Sequence, residues 1–298
     1  MSPIDTLFAQ LRSQGRKALM PFVTAGDPDL DFTAAVLKEL VARGASLCEL
    51  GIPYSDPIAD GPVIQASYTR ALAKKIKLAQ IFEMLKKTTG GQVPASNSNS
   101  GSPHPGPLPK GEGGGGPPLS SPTLAAPVVM MVSYAIIYRH GLRQYVEDAW
   151  AAGAAGAIVP DLPVEEAAEL AQICRERDFS LIQLVTPTTP RERALKIAAT
   201  STGFIYYVSV TGITGERTQL PPDLLENVAW LRTQTPLPIC IGFGISQPEH
   251  VKLLAPVADG LIVGSAIVRR IAEAEKRPRE EVLRDVGEFA ERLLAALG

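Results

Sequence analysis

The feature that most constrains the fold is a regular alternation of short apolar runs with segments of helical periodicity. The runs are continuously apolar, which is typical of parallel strands covered by helices. Eight of them are expected to be strands, starting at Ala18, Ser46, Pro127, Ala157, Leu181, Phe204, Pro238 and Gly260. Eight strand–helix units in about 260 residues, with one low-complexity stretch set aside, predict a single α/β domain over residues 1–298: a (β/α)8 TIM barrel with an N-terminal helix.

The helices are predicted from the spacing of apolar residues between the strands. We expect them over residues 4–11, 31–42, 63–73, 79–87, 141–152, 164–177, 191–199, 224–233, 248–254 and 279–297, with a short one from Ser265. The third, fourth and fifth strands are expected over residues 127–132, 157–160 and 181–185. The carboxyl ends of such strands are where barrel enzymes place their chemistry.

Residues 91–126 interrupt this pattern. The stretch is rich in Pro, Gly and Ser and has few large apolar side chains, so it cannot bury a core. It follows a helix and precedes the third strand. We therefore predict a disordered insert on the barrel face opposite the chemistry, where added length is well tolerated. The alternative is a Pro-rich ligand for a partner domain.

Composition excludes several function classes. A net charge of −2 and a pI near 6.0 argue against a nucleic-acid partner or an anionic membrane surface. No apolar run reaches the ~18 residues of a membrane span, and the charged N-terminus does not read as a signal peptide. The three cysteines, Cys48, Cys174 and Cys240, lie singly in apolar runs, which is typical of buried thiols in a reducing compartment. A cytoplasmic protein is expected.

The second predicted strand and the loop after it carry the strongest candidate for chemistry. Residues 47–65 read LCELGIPYSDPIADGPVIQ. Glu49 should point to the face opposite Cys48 and Leu50, where an apolar wall raises a carboxyl pKa towards that of a general acid/base. Asp60 follows eleven residues later on a loop stiffened by prolines. Glu49 as a cap of the following turn and Asp60 as a helix N-cap before Pro62 are the structural alternatives.

Glycines follow the last three predicted strands. The segments are VSVTGITGERT from Val208, GFGIS from Gly242 and GSA from Gly264. Glycines let the backbone approach a ligand, and the loop N–H groups with the N-terminus of the short helix after Ser265 predict an anion site. Barrels often bind phosphate at this position, although each glycine alone could be a turn former.

Other chemistries lack their residues. His104, His140 and His250 have no metal-binding spacing, so a zinc site and a His-dependent hydrolase are not expected. No phosphate-binding G-x-x-x-x-G-K-[ST] motif occurs, and GFGIS is not a full dinucleotide fingerprint. Acid/base chemistry on a phosphorylated small molecule remains.

At this point the chain resembles a known family, the α subunits of tryptophan synthase. The resemblance runs through nearly the whole chain outside the insert and rests on the segments PFVTAGDPD, CELGIPYSDPIADGPVIQ, GAIVPDLPVEE, VTGITG, GFGIS and VGSAIV. It implies retro-aldol cleavage of indole-3-glycerol phosphate to indole and glyceraldehyde 3-phosphate. It also implies a β-subunit partner in an α2β2 complex, which receives indole through a tunnel and holds the pyridoxal phosphate, so that this chain needs no cofactor or metal of its own.

The resemblance implies a role for each matching residue. Glu49 would be the general acid/base, and Asp60 would accept the indole N–H. A loop over residues 209–221 would close as a lid. The substrate-binding residues would be Phe22, Ile64, Tyr206, Thr214, Gly215, Phe243, Gly244, Gly264 and Ser265, the glycines and Ser265 at the phosphate.

One segment departs from the family pattern, and two other readings stay open. Where many members read roughly T-Y-Y-N-P-I after strand three, this chain reads VSYAII from Val132, which puts inter-subunit signalling in doubt more than the chemistry. Another phosphate-binding barrel, an isomerase or ring-closing synthase, would be expected to use a strand Lys or Cys. A non-catalytic barrel that regulates a partner would be expected to lack one of the two acids.

Overall fold

The strands of the chain form one parallel barrel. The structure, a computed structural model, describes residues 1–57, 60–92, 123–208, 222–242 and 244–298. Within these residues there are nine strands: β1 (Ala18–Thr24), β2 (Cys48–Gly51), β3 (Val128–Met131), β4 (Ala154–Ile158), β5 (Ser180–Ile182), β6 (Leu184–Val185), β7 (Ile205–Val208), β8 (Ile239–Gly242) and β9 (Gly260–Val263). They are paired in parallel in the order β5-β4-β3-β2-β1-β9-β8-β7-β6.

The two edges of this sheet are pieces of one strand. Only Gln183 separates β5 from β6. The nine strands therefore occupy eight positions of a nearly closed barrel, and the predicted (β/α)8 fold is confirmed. The single fifth strand predicted over residues 181–185 was wrong in one respect, because its ladder is interrupted at Gln183 and each half pairs with a different neighbour.

Helices surround the barrel. The described residues contain twelve: α1 (Pro3–Ser13), α2 (Leu30–Ala42), α3 (Pro62–Ala73), α4 (Leu78–Thr89), α5 (Tyr134–His140), α6 (Leu142–Ala151), α7 (Ala168–Glu176), α8 (Arg191–Thr200), α9 (Pro222–Gln234), α10 (Pro248–Leu254), α11 (Ser265–Ile271) and α12 (Arg279–Ala295). Two 3-10 helices, Val164–Glu166 and Ala272–Glu275, precede α7 and follow α11. In the described ranges no helix is both long and apolar enough to cross a membrane.

Alternation along the strands separates two cores. In β1, Leu19 and Val23 belong to the large core between the sheet and the helices, which we call the outer core. Met20 and Phe22 belong to a smaller core inside the barrel, the inner core. Successive strand residues point to opposite faces, so each strand contributes to both. The interior of the barrel is thus a packed apolar medium, in which an ionised side chain is strongly disfavoured.

Helix α1 closes the end of the barrel where the strands begin. Its first turn is fixed by a reciprocal pair, in which Asp5 N–H donates to the Ser2 hydroxyl and Ser2 N–H donates to the Asp5 carboxylate. Ile4, Phe8 and Leu11 pack into the inner core, with the Phe8 ring 5.9 Å from that of Phe204. Because this end is sealed, only the carboxyl ends of the strands remain open to a ligand.

Two segments differ from the predictions in type or extent. Strand β4 starts at Ala154 rather than Ala157, because its small residues pair closely with β5: a Cβ at Gly156 would lie 2.5 Å from the Ser180 carbonyl oxygen. The helix predicted over residues 164–177 is a 3-10 turn followed by α7.

Helix α5 was not predicted. Ser133 begins it by accepting a hydrogen bond from the N–H of Ala135, and Gly141, at φ +89°, ends it before α6. The Ser133 hydroxyl also donates to Asp161 Oδ2 over 2.7 Å, and the Tyr134 N–H donates to Asp161 Oδ1 over 2.7 Å. The VSYAII segment, which departs from the family pattern, therefore includes the capped first turn of α5. This turn is hydrogen-bonded to Asp161 in the loop after β4.

The ends of the predicted insert contact the barrel. The Gln92 N–H donates to the Ala151 carbonyl over 3.2 Å, and the Leu124 N–H donates to the Thr88 carbonyl over 3.0 Å. Leu124 also packs against the outer core. The remainder of the segment, residues 93–122, lies outside the described residues.

Candidate active site

Glu49 lies inside the barrel. Its neighbours Cys48 and Leu50 belong to the outer core, while Glu49 sits on β2 opposite Phe22 of β1. The side chain is 0% exposed, and neither carboxyl oxygen has a hydrogen-bond partner among the described residues. The hypothesis that this acid only caps the following turn is therefore wrong.

Burial decides the protonation state of Glu49. Removing a carboxyl from water disfavours its charged form, and the neighbouring Asp60 carboxylate repels that charge further. Together these effects raise the pKa of Glu49 to about 8. At neutral pH the group is a protonated acid in an apolar wall, able to give a proton to a substrate atom and to take one back.

Asp60 is delivered by the loop between β2 and α3. Gly61 is the N-cap of α3, Pro62 is its first residue, and no side chain caps the helix, so the N-cap alternative for Asp60 was wrong. Burial raises the pKa of Asp60 to about 6, although a hydrogen bond from the Tyr54 hydroxyl to Oδ2, 3.4 Å long, opposes that shift. Asp60 thus ionises before Glu49.

The backbone around Asp60 is held by a side chain of α3. Gln65 Nε2 donates to the carbonyl of Asp60 over 2.8 Å and to that of Pro57 over 3.2 Å, and the Asp60 N–H donates to the Pro57 carbonyl. The carboxylate itself takes no part in these bonds. Among the described residues the Tyr54 hydroxyl donates to this carboxylate, and Asp60 lines the cavity.

Both acids line one cavity of about 480 Å³ at the carboxyl ends of the strands. Eight residues singled out from the sequence lie on its wall: Phe22, Glu49, Asp60, Ile64, Tyr206, Gly244, Gly264 and Ser265. Thr214, Gly215 and Phe243, as well as the lid predicted over residues 209–221, lie outside the described residues. The cavity is large enough for a small bicyclic molecule with a short phosphorylated tail.

The segments after β8 and β9 bring glycine backbone to the wall of the cavity. Helix α11 begins at Ser265 after Gly264, and no side chain caps its first N–H groups. A Cβ at Gly264 would lie 3.8 Å from Phe22 Cβ and 3.9 Å from Ile64 Cδ1, ordinary contacts that leave the position sterically open. Gly244, at φ +79°, adopts a left-handed conformation that favours glycine. This part of the wall fits an anion.

Sequence reasoning did not single out four residues near these groups. The rings of Tyr54 and Tyr68 lie 5.4 Å apart in a tilted arrangement, the Tyr54 hydroxyl donates to Asp60, and His250 and Arg269 line the same cavity. His250 Nδ1 accepts the N–H of Ser246 over 3.3 Å. Tyr54 lies in the loop between β2 and α3 that carries Asp60, and Tyr68 lies in α3. Arg269 lies one helical turn after Ser265 in α11. The one-turn separation of Arg269 from Ser265 could have identified Arg269 from the sequence, whereas Tyr68 has the spacing of a core residue.

The structure shows no candidate metal site among the residues that it describes. No group of three or more His, Cys, Asp or Glu residues there could hold a metal ion. The fold and the cavity define a class: (β/α)8 barrels in which two buried carboxyls of raised pKa, here Glu49 and Asp60, line a cavity at the carboxyl ends of the strands.

Comparison with known proteins defines the family. The model of the family "Tryptophan synthase alpha chain" matches residues 8–96 and 118–297. The tryptophan synthase alpha chain of Rhodopirellula baltica is 53% identical over 100% of this chain and 99% of its own length, and that of Trichormus variabilis is 43% identical over 100% and 99%. The crystal structure of the α subunit from Legionella pneumophila strain Paris has a TM-score of 0.81 at 31% identity, covering 100% of this chain and 98% of that one. The chain belongs to the tryptophan synthase α chain family.

Proposed function

We propose that this chain is a carbon–carbon lyase that cleaves indole-3-glycerol phosphate to indole and glyceraldehyde 3-phosphate, the aldol cleavage step of tryptophan synthesis. The observation that carries the proposal is Glu49: a fully buried carboxyl with no hydrogen-bond partner among the described residues, on the wall of the open-end cavity, with its pKa raised to about 8. A group in that state is a proton donor at neutral pH.

In the first step Glu49 gives its proton to C3 of the indole ring. Protonation turns C3 into a tetrahedral carbon and puts positive charge on the ring nitrogen. Asp60, which ionises at a lower pH than Glu49, accepts a hydrogen bond from the indole N–H and stabilises that charge. Two carboxyls whose environments separate their pKa values are suited to these two roles.

In the second step the Glu49 carboxylate takes the proton of the glycerol hydroxyl next to the ring. The C–C bond breaks, its electron pair returns to the ring and restores aromatic indole, and the alkoxide carbon becomes the aldehyde of glyceraldehyde 3-phosphate. Glu49 ends protonated, as it began. The proton and electron balance needs neither water nor an oxidant.

The rest of the cavity fits the two ends of this substrate. Phe22 and Ile64, which are 4% and 7% exposed, offer flat apolar contact for the indole, and Tyr206 packs near it. Gly244, Gly264 and Ser265 would bind the phosphate through backbone N–H groups and one hydroxyl. We further assign Thr214, Gly215 and Phe243 to the substrate site, and residues 209–221 to a lid, on the family resemblance.

The proposal includes the surroundings of the reaction. The chain would act in the cytoplasm with a tryptophan synthase β subunit, which receives the indole and holds the pyridoxal phosphate, in an α2β2 complex; this chain would need no cofactor. The competing isomerase or synthase reading would require a Lys or Cys at the chemistry, and the cavity wall, as far as it is described, includes neither.

We also propose that the chain is one domain with a low-complexity insert. The family model leaves residues 97–117 unmatched, and hydrogen bonds close the barrel on either side of that stretch, at Gln92 and Leu124. The insert would lie apart from the chemistry.

The test is an indole-release assay of the purified chain with indole-3-glycerol phosphate, with and without a β subunit. We expect slow release by the chain alone and faster release in the complex. Absence of indole in both arms, with the substrate bound, would refute the assignment.

A further inference from the structure

A second buried polar group lies next to Glu49 and is not used by the mechanism above. Tyr68 of α3 is 1% exposed, and its hydroxyl has no hydrogen-bond partner among the described residues. Leaving a buried hydroxyl unpaired costs free energy, so such a group calls for an explanation. At the same location both oxygens of Glu49 are unpaired as well.

The Tyr68 hydroxyl lies next to Gly51. A Cβ added at Gly51 would be 2.9 Å from that hydroxyl and would collide with the Phe22 ring. Gly51 is the next inward position after Glu49 on β2, and inward positions on a strand are about 7 Å apart. A glutamate side chain spans much of that distance. The Tyr68 hydroxyl therefore lies near the Glu49 side chain, although the two groups are not within hydrogen-bond distance of each other.

The other titratable groups around Glu49 have different positions. Tyr54 donates to Asp60 on the loop, and the Tyr206 hydroxyl of β7 lies 2.5 Å from a Cβ that would be built at Gly242, on the far strand β8. His250 of α10 and Arg269 of α11 also line the cavity. Tyr68 is the one hydroxyl in this group that combines full burial, no partner and a position beside β2.

We propose that Tyr68 is a positioning residue for the reaction. Its hydroxyl donates a hydrogen bond to the Glu49 carboxylate that forms when the acid has given up its proton, and it aims the second carboxylate oxygen at the substrate hydroxyl. This inference rests on the proposed function for its purpose. The hydrogen bond forms when Glu49 is ionised and needs no substrate; with Glu49 protonated, neither its oxygens nor the Tyr68 hydroxyl has a partner among the described residues.

The packing of Tyr68 suits this role. Its ring lies 5.4 Å from that of Tyr54 in a tilted arrangement, and α3 is also tied to β1 by a hydrogen bond between Ser67 and Thr24, 2.6 Å long and fully buried. The phenol is thus held by rigid elements on both sides. Burial raises the pKa of Tyr68 well above its usual value, so the hydroxyl keeps its proton and remains a donor.

A hydrogen bond to the charged form of an acid lowers its pKa. Tyr68→Phe removes the donor and keeps the ring, so Glu49 should ionise at higher pH. We expect the midpoint of Glu49 ionisation, measured from infrared carboxyl bands with Glu49→Gln variants as blanks, to rise by roughly one pH unit. In the assay kcat should fall about tenfold while KM stays within about twofold.

Tyr145→Phe is the matched control. Tyr145 is 0% exposed, but it lies in the outer core, where its hydroxyl contacts Met130 Sδ at 3.8 Å. Its removal should leave the Glu49 midpoint unchanged. An unchanged midpoint in Tyr68→Phe, with or without a lower melting temperature, would overturn the proposal and leave Tyr68 a packing residue.

A second substitution keeps the test decisive if Tyr68→Phe does not fold. A fluorinated tyrosine at position 68 preserves the shape and makes the hydroxyl a stronger donor, so the Glu49 midpoint should fall; a midpoint that stays in place would contradict the hydrogen bond. The infrared titration needs no turnover. Failure of the wild-type chain to release indole would refute the proposed function, whereas the midpoints test the role of Tyr68 separately.

Discussion

The two ends of the cavity that we propose for chemistry and for phosphate binding differ in what they offer. At the proposed acid end are two side chains, Glu49 and Asp60, whose pKa values are raised by burial to about 8 and about 6. At the proposed anion end, Gly244 and Gly264 would offer backbone N–H groups, which have fixed dipoles and do not titrate. A substitution at the acid end should therefore alter the rate and its pH dependence, whereas one at the anion end should alter affinity.

Glu49→Gln should have the largest effect. The amide fills the same volume but cannot transfer the proton, so indole release should fall at least 10³-fold, within the range of general acid/base catalysis. Binding of glycerol phosphate, measured by calorimetry, should stay within about twofold because the anion end is untouched. Measurable turnover near the wild-type rate would remove Glu49 from its role.

Asp60→Asn should lower kcat/KM by about 10²-fold and also simplify its pH profile. In the wild type, activity should decline below about pH 6, where Asp60 becomes protonated, and above about pH 8, where Glu49 loses its proton. The variant should keep the alkaline decline and lose the acid one. If the acid limb persists in the variant, another group is responsible for it.

Gly264→Ala should affect the opposite end. The added methyl meets only ordinary contacts with Phe22 and Ile64, so the melting temperature should change little. It would occupy space next to the proposed phosphate, and KM should rise about tenfold at nearly constant kcat, an affinity loss of about 1.4 kcal/mol. Competitive inhibition by indole, which lacks a phosphate, is the internal comparison and should weaken by no more than about twofold, because the methyl also contacts Phe22 and Ile64 of the proposed indole site. An equal loss for both ligands would contradict the division into two ends.

Deleting residues 93–122 should have the smallest effect. The deletion keeps the hydrogen bonds of Gln92 and Leu124, and we propose that the segment lies apart from the chemistry. We expect kcat and KM within about twofold of the full chain and a closely similar melting curve, because loop length contributes weakly to stability. A collapse of folding would make this segment part of the domain.

The same contrast explains what could be predicted from the sequence. The acid end was readable because Glu49 is a charge in an apolar strand and the period of two fixes its face. The anion end was predicted more weakly, since glycines mark many turns. Tyr68 was missed because its spacing in the helix is that of a core residue. The position of its hydroxyl, next to Gly51, is known only from the structure.

The fold was predictable to the level of strand count and order of elements. Errors arose where local signals conflict with tertiary pairing. The run AAGAAG has little strand propensity but starts β4, since its small residues allow close approach to β5. Helix α5, only seven residues long, depends on a cap at Ser133 and on Gly141, which separates it from α6.

The central claim is that Glu49 and Asp60 are in opposite protonation states at neutral pH. The most direct measurement is an infrared difference spectrum of the wild type against Glu49→Gln and against Asp60→Asn. Between about pH 6 and about pH 8 we expect a protonated-carboxyl band that is lost only in Glu49→Gln, and a carboxylate band that is lost only in Asp60→Asn. A Glu49 carboxylate band already present at pH 6 would contradict the central claim.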